Sequence, residues 1–157
     1  MTSAAGSAGN NSRLRQQRVP TAQRRKARRL IMQALYQWRL SDNEPDEIAM
    51  DFQEGSHGKV DWGYFSSVFL AIPPQKAALQ AHFEDLLDRD IATIDPIEWA
   101  LLMLGSFELA ERVDVPYKVT INEAVELAKT YGASESHKYI NGVLDKLAKK
   151  LRPAELK

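Results

Sequence analysis

The side chains of this 157-residue chain that could bind a ligand fall into two groups, one near each end of the sequence. The first group lies in a predicted helix with Thr21 as its N-cap. At about 100° per residue, four of its side chains share one face: Arg25, Arg29, Met32 and Tyr36. That face lies opposite the predicted core stripe, so Tyr36 is expected to be exposed. Tyr, Met and Arg are enriched at interfaces, which favours a binding surface over a solvated helix face with two isolated hydrophobic residues.

The second group lies in residues 134–139 (SESHKY), at the start of the last predicted helix. Lys138 and Tyr139 point away from the apolar stripe of that helix. Free backbone N–H groups at a helix N-terminus favour phosphate, and an aromatic ring beside them can stack on an unpaired base. Tyr131, just before Gly132, could supply a second ring on the same side. Each Tyr alone is more typical of the edge of a core, so this group gains weight only beside the basic helix.

Residue patterns of catalytic and metal sites are almost absent from the sequence. There is no Cys, and His57, His82 and His137 are scattered without the spacing of a metal site. There is neither a Gly-rich phosphate loop nor a G-x-S-x-G motif. We therefore expect a protein that is not an enzyme, with no catalytic residues, no metal and no other cofactor.

The net charge of zero conceals an uneven distribution of charge along the chain. Residues 1–41 contain nine Arg or Lys and no Asp or Glu, whereas residues 42–157 contain 12 basic and 21 acidic side chains. A basic N-terminal segment on an acidic body indicates nucleic acid or an acidic protein as partner. The alternative is a solvated basic tail without a partner.

Apolar residues recur at helical spacing in seven segments, and no segment alternates with a period of two, so the sequence predicts an all-α fold. The fifth segment is apolar over most of its circumference and is therefore expected at the centre of the domain. Thr120 and Ser134 are the predicted caps of the last two helices. The predicted helices cover about residues 21–40, 45–54, 62–72, 75–87, 97–112, 121–132 and 135–152.

Residues 1–20 are predicted to be a disordered basic extension, because they are mostly small and polar, and residues 21–153 a single helical domain. No run of apolar residues is long enough to span a membrane. The charged N-terminus is not followed by the apolar segment of a signal peptide. We therefore expect no membrane association and a cytoplasmic location.

Two stretches of the sequence closely resemble the NusB family of transcription antitermination factors. Residues 116–146 contain, in the family's order and spacing, P-Y-K-V-x-I-N-E-A-V-E-L-A-K, Y-G and S-H-K-Y-I-N-G-V-L-D-K. Residues 24–40, RRKARRLIMQALYQWRL, are similar to the family's opening helix with its Arg cluster and A-L-Y-x-W. The resemblance extends from about Arg24 to Pro153 and is weak in residues 41–92.

The resemblance implies a fold of two packed helical subdomains and a particular set of partners. These are NusE, a small-subunit ribosomal protein, a single-stranded boxA RNA element bound jointly with it, and the RNA polymerase elongation complex on ribosomal RNA operons. Partner binding to NusE is implied for Tyr36 and Glu98. RNA binding is implied for Arg24, Arg25, Arg28, Tyr131, Glu135, Ser136, His137, Lys138 and Tyr139. An Arg contact cannot be carried over to Met103, which stands where many relatives have Arg.

Two other functions are compatible with a NusB-like domain. It could be a protein-interaction scaffold whose basic segment binds an acidic partner. It could also be the RNA-binding domain of another machine, such as the RNA cytosine methyltransferases that carry a similar domain before their catalytic part. No cofactor-binding domain follows here, so a stand-alone antitermination factor is the favoured expectation.

Overall fold

The computed structural model describes residues 19–156, and these residues form seven α-helices and no β-strand. Three short 3-10 turns, Pro73–Gln75, Glu84–Leu86 and Ile91–Thr93, lie among the helices. The helices are α1 (Thr21–Leu40), α2 (Pro45–Glu54), α3 (Trp62–Phe69), α4 (Lys76–Phe83), α5 (Pro96–Glu111), α6 (Tyr117–Tyr131) and α7 (Ser136–Leu151). The all-α prediction is confirmed, whereas the predicted disorder of residues 1–18 lies outside the described residues.

Helix α5 is the centre of the domain, as its apolar sequence predicts. Asp95 caps it by accepting hydrogen bonds from the backbone N–H groups of Ile97 and Glu98. Every residue from Glu98 to Leu109 is buried. A helix can be buried on all sides only if neighbours surround it, and α5 contacts α1, α4, α6 and α7.

The helices form two packed subdomains around α5. Helices α1, α2 and α3 contact one another, and α4, α6 and α7 pack with α5 in the second subdomain. The interface between the subdomains is made mainly by α1 against α5. Both subdomains contribute large side chains to one continuous core, among them Leu30, Leu35, Phe65 and Trp99. Among the described residues, no helix is long and apolar enough to cross a membrane.

Three predicted N-caps are wrong. Thr21 is the first helical residue of α1, and Pro20 occupies the cap position. Helix α6 begins at Tyr117 after Pro116, so Thr120 lies inside the helix, where its hydroxyl donates to Glu108 instead of capping. The residues before α7 form a turn closed by the N–H of Ser136 and the carbonyl of Ala133, which leaves Ser134 without a capping role.

Arg152 closes the C-terminal end of α5 from a distant part of the chain. Its buried guanidinium donates hydrogen bonds to four backbone carbonyls, those of Glu108, Leu109, Arg112 and Val115. The last carbonyls of a helix have no partner within the helix, so this side chain satisfies them. Glu155 pairs with Arg152 and also accepts from the N–H of Tyr117, so these contacts extend past Pro153, the predicted end of the domain.

Replacing Arg152 by Met is expected to lower the free energy of unfolding by about 3 kcal/mol, because the carbonyls of Leu109 and Val115 lose their donor, whereas those of Glu108 and Arg112 keep a backbone N–H. Urea denaturation measures this change. Lys149→Met, three residues earlier in the last turn of α7, is the control, because Lys149 is exposed and its loss should change stability by less than about 0.5 kcal/mol. Equal stability of the two variants would show that Arg152 does not cap α5.

Candidate nucleic-acid interface

A groove on the surface brings the basic segment of α1 beside the C-terminal end of α6. One wall carries Arg25 and the other carries Tyr131. Both residues were predicted to bind RNA, although they belong to the two groups near opposite ends of the sequence. The complete lining consists of Thr21, Ala22, Arg25, Lys26, Arg29, Leu127, Thr130 and Tyr131. Three cationic side chains beside an exposed aromatic ring form a surface that suits a phosphate backbone with an unstacked base.

The three cations of the groove differ in how firmly they are held. The Nε atom of Arg25 lies 3.0 Å from a carboxylate oxygen of Glu123, although most of the Arg25 side chain is exposed. The Nζ atom of Lys26 donates to the carbonyl of His57 over 2.9 Å. Arg29 is partly exposed in the same row. Lys26 was not predicted from the sequence. Its place in the basic run RRKARR, one helical turn after Ala22 on the same face of α1, could have identified it.

Arg24 lies outside this groove. Its Nε atom donates to Asp61 over 2.8 Å, and its guanidinium carbon lies 3.8 Å from the centre of the Tyr64 ring. Asp61 also caps α3 through the N–H of Tyr64, so Arg24 connects α1 to the start of α3. The RNA contact predicted for Arg24 stays a prediction, and any such contact would have to compete with this ion pair.

Arg28 was expected on the RNA-binding surface, but the structure buries it in the core. The residue is 4% exposed, and its Nε atom lies 2.8 Å from a carboxylate oxygen of Glu108 on α5. The same carboxylate accepts hydrogen bonds from the hydroxyl groups of Tyr64 and Thr120. Burial acts to lower the pKa of Arg28, but the charge of Glu108, its hydrogen bond to Arg28 and the nearby Tyr64 together raise that pKa above its usual value. Arg28 is therefore a structural cation of the core, and the RNA contact predicted for it stays a prediction.

Two methionines lie in the core rather than on a surface. Met32 was expected on the exposed face of α1 but is fully buried, because the stripe that packs against α5 is wider than predicted. Met103, where many relatives carry Arg, is also fully buried. Tyr36, by contrast, is 38% exposed, as its position on α1 predicts. At 1.5 Å per residue it lies about 16 Å along the helix from Arg25.

Glu98 and Ser136 are both buried and bind each other. The hydroxyl of Ser136 donates to a carboxylate oxygen of Glu98 over 2.7 Å, which joins the first turns of α5 and α7. The RNA contact of Ser136 and the protein contact of Glu98 stay predictions, and either would have to compete with this buried hydrogen bond. Capping patterns in the sequence could not reveal this contact, because the two residues are 38 positions apart.

The other predicted residues at the start of α7 remain on the surface. Glu135 and Lys138 are exposed and pair with each other over 3.2 Å, and His137 is partly exposed. Tyr139 is half-buried, and the guanidinium carbon of Arg89 lies 4.3 Å from its ring centre. Arg89 thus occupies one side of the ring that base stacking would need. RNA binding by these residues stays a prediction.

Gly142 lies on the exposed face of α7, one turn from Lys138 and one turn from Lys146. A Cβ atom added at this position would meet no atom within 4 Å. Packing therefore does not require glycine here. By contrast, a Cβ at Gly132 would lie 2.8 Å from both the Ala128 carbonyl and Ser136, so the tight turn between α6 and α7 does require glycine.

The geometry defines a seven-helix domain with a buried central helix and a basic groove edged by tyrosine. The chain belongs to the NusB family, whose family model matches residues 25–149. Within residues 19–156, no group of three His, Cys, Asp or Glu side chains could hold a metal ion.

Similar proteins span nearly the same length as this chain. The transcription antitermination protein NusB of Idiomarina loihiensis is 50% identical over 133 residues, which cover 84% of this chain and 96% of that protein. That of Ralstonia nicotianae is 43% identical over 148 residues, which cover 94% and 96%. The structure of T. maritima NusB is similar with a TM-score of 0.74 and 25% identity, covering 88% of this chain and 98% of that one.

A second similar structure contains the antitermination factors NusB and NusE in complex with double-stranded RNA. Its TM-score is 0.71 at 21% identity, and the match covers 83% of this chain and 99% of that chain. At this identity the likeness establishes the shared fold.

Arg28→Ala is expected to lower the free energy of unfolding by about 3–5 kcal/mol, because it leaves the buried Glu108 carboxylate without its cation. Arg25→Ala, three positions earlier on α1, should cost less than about 1 kcal/mol, because its ion pair is exposed. Chemical denaturation of both variants measures the difference. Similar losses in both would contradict the assignment of Arg28 to the core.

Gly142→Ala is expected to stabilise the protein by about 1 kcal/mol, because alanine has the higher helix propensity and the added methyl group meets open space. Thermal unfolding, followed by circular dichroism, measures the gain. A loss of stability would mean that the outer face of α7 is covered by a neighbour that the structure does not contain.

Proposed function

We propose that this protein is a transcription antitermination factor that acts by binding and not by catalysis. It pairs with the ribosomal protein NusE, binds single-stranded boxA RNA on ribosomal RNA operons, and joins the RNA polymerase elongation complex in the cytoplasm. Relatives at 43% and 50% identity carry the name of this function and match this chain along nearly their whole length, which supports the proposal.

The observation that carries the RNA-binding part is the groove between α1 and α6. Arg25, Lys26 and Arg29 provide positive charge along one wall, which suits the phosphates of a strand. Tyr131 is 40% exposed at the other wall and offers a ring for a base. Aromatic stacking requires a base free of its own stack, so the groove favours single-stranded over double-stranded RNA.

The surface proposed for NusE lies at the other end of α1. Tyr36 and Leu40 are one helical turn apart and both are exposed, so they form a small apolar surface beside Arg39. An exposed aromatic residue with an apolar neighbour and a cation is typical of a protein interface. Because one straight helix carries this surface and the groove, α1 would fix the position of NusE relative to the RNA.

Tyr131→Ala is expected to weaken binding of boxA RNA by about 1–3 kcal/mol, the range for loss of one stacked base. Arg29→Ala should weaken binding to all sequences and flatten the slope of log K against log salt concentration by about 0.7. Fluorescence anisotropy with labelled RNA at several salt concentrations, with NusE present, measures both effects.

Lys118→Ala is the matched control for Arg29→Ala, because Lys118 is an exposed cation at the opposite end of α6. It should leave both the affinity and the salt dependence nearly unchanged. A scrambled RNA should bind more weakly than boxA RNA at every salt concentration. If scrambled RNA binds equally well, or if all three variants behave alike, the groove is not a selective RNA site.

Tyr36→Ala is expected to weaken NusE binding by about 1–3 kcal/mol without changing the melting temperature, because the side chain is exposed. Isothermal calorimetry measures the affinity. Val119→Ala is the control, since Val119 on α6 is equally exposed at 39% and lies outside the proposed surface. Wild-type affinity of the Tyr36 variant would remove α1 from the NusE interface.

A further inference from the structure

The ion pair between Arg25 and Glu123 is unequally exposed. The Arg25 Nε atom and the Glu123 Oε2 atom are 3.0 Å apart, but the Arg25 side chain is 65% exposed and that of Glu123 only 14%. The carboxylate is therefore largely enclosed by the protein, whereas the guanidinium projects from the surface. Arg25 can turn to another partner by side-chain rotation, while Glu123 stays in place.

Arg25 lies at the border between two surface depressions. One is the groove with Lys26, Arg29 and Tyr131. The other shares Arg25, Leu127 and Thr130 with the groove and adds two acidic residues, Glu123 and Glu126. The Glu123 carboxylate thus occupies the Nε atom of Arg25 within the acidic depression, next to the groove that a phosphate would enter.

The ion pair with Glu123 neutralises the charge of Arg25, one of the cations that the groove would present to RNA. A cation in contact with a carboxylate adds almost no net field at a distance, so it contributes little to the attraction of a polyanion. A phosphate that binds the other guanidinium nitrogens of Arg25 lies close to the Glu123 carboxylate, which repels it, and a phosphate at Nε must displace that carboxylate. Both effects lower the affinity for any RNA strand, whatever its sequence.

We propose that Glu123 is an internal counter-ion of Arg25 that limits the affinity of the groove for RNA. The inference rests on the proposed RNA-binding function and adds a residue that opposes binding. Opposing elements of this kind raise selectivity in a cell full of competing RNA, because only strands with enough other contacts, including those through a partner protein, bind at working concentrations.

Glu123→Gln tests the proposal, because it keeps the shape of the side chain and removes its charge. Anisotropy titrations against boxA and scrambled single-stranded RNA, without NusE, should show affinities about two- to fivefold higher than wild type, the range that corresponds to an exposed ion pair. The slope of log K against log salt concentration should steepen by about 0.7, because one more cation now releases counterions.

Glu126→Gln is the matched control. Glu126 lies one turn further along α6, borders the same acidic depression and carries the same charge, but it pairs with Lys129 instead of Arg25. Its replacement should change RNA affinity less than twofold. Thermal melts of both variants exclude a change of folding as the cause of any difference.

The effect of Glu123→Gln should also depend on Arg25. In an Arg25→Ala background, the substitution at position 123 should leave the salt slope unchanged, because no cation is freed there. Unchanged or weaker RNA binding by Glu123→Gln, or a steeper salt slope that persists without Arg25, would overturn the counter-ion role. If Arg25→Ala alone leaves RNA binding unchanged, the RNA groove itself is wrong, which is a separate failure.

Discussion

The arrangement of the helices depends on the ion pair and hydrogen bonds made by the buried carboxylate of Glu108. An ionised group in the centre of a domain is costly unless charge and hydrogen bonds compensate it. Glu108 on α5 meets this requirement with Arg28 from α1, Tyr64 from α3 and Thr120 from α6. Because hydrogen bonds tolerate little displacement, these contacts fix the position of α1 relative to α6, and with it the two walls of the basic groove.

The same helix, α1, uses its cations for three different purposes. Successive residues turn by 100°, so the run RRKARR distributes its side chains around the helix. Arg28 enters the core, Arg24 binds the cap of α3, and Arg25 faces the groove. Some basic residues of this run therefore stabilise the fold, and fewer of them line the groove than the sequence suggests.

Features that depend on local patterns could be predicted from the sequence. The burial of helix α5 and the exposure of Tyr36 both follow from apolar spacing along one helix. Site residues with distant partners could not be assigned in this way. Glu98, Ser136 and Arg28 are polar in the sequence and were placed on the surface, but each meets a partner 38 or 80 positions away in the interior. Only the packing of the helices decides which polar residues find such partners.

The hydrogen bonds from Arg152 to the end of α5 affect the order in which the structure forms during synthesis. A ribosome makes the chain from its N-terminus, so α5 emerges well before the side chain that closes it. The carbonyl of Leu109, for example, receives its donor from a residue made 43 positions later. Until that residue emerges, the end of the central helix is hydrated and free to fray. The nascent protein therefore acquires its final rigidity late, when Arg152 docks.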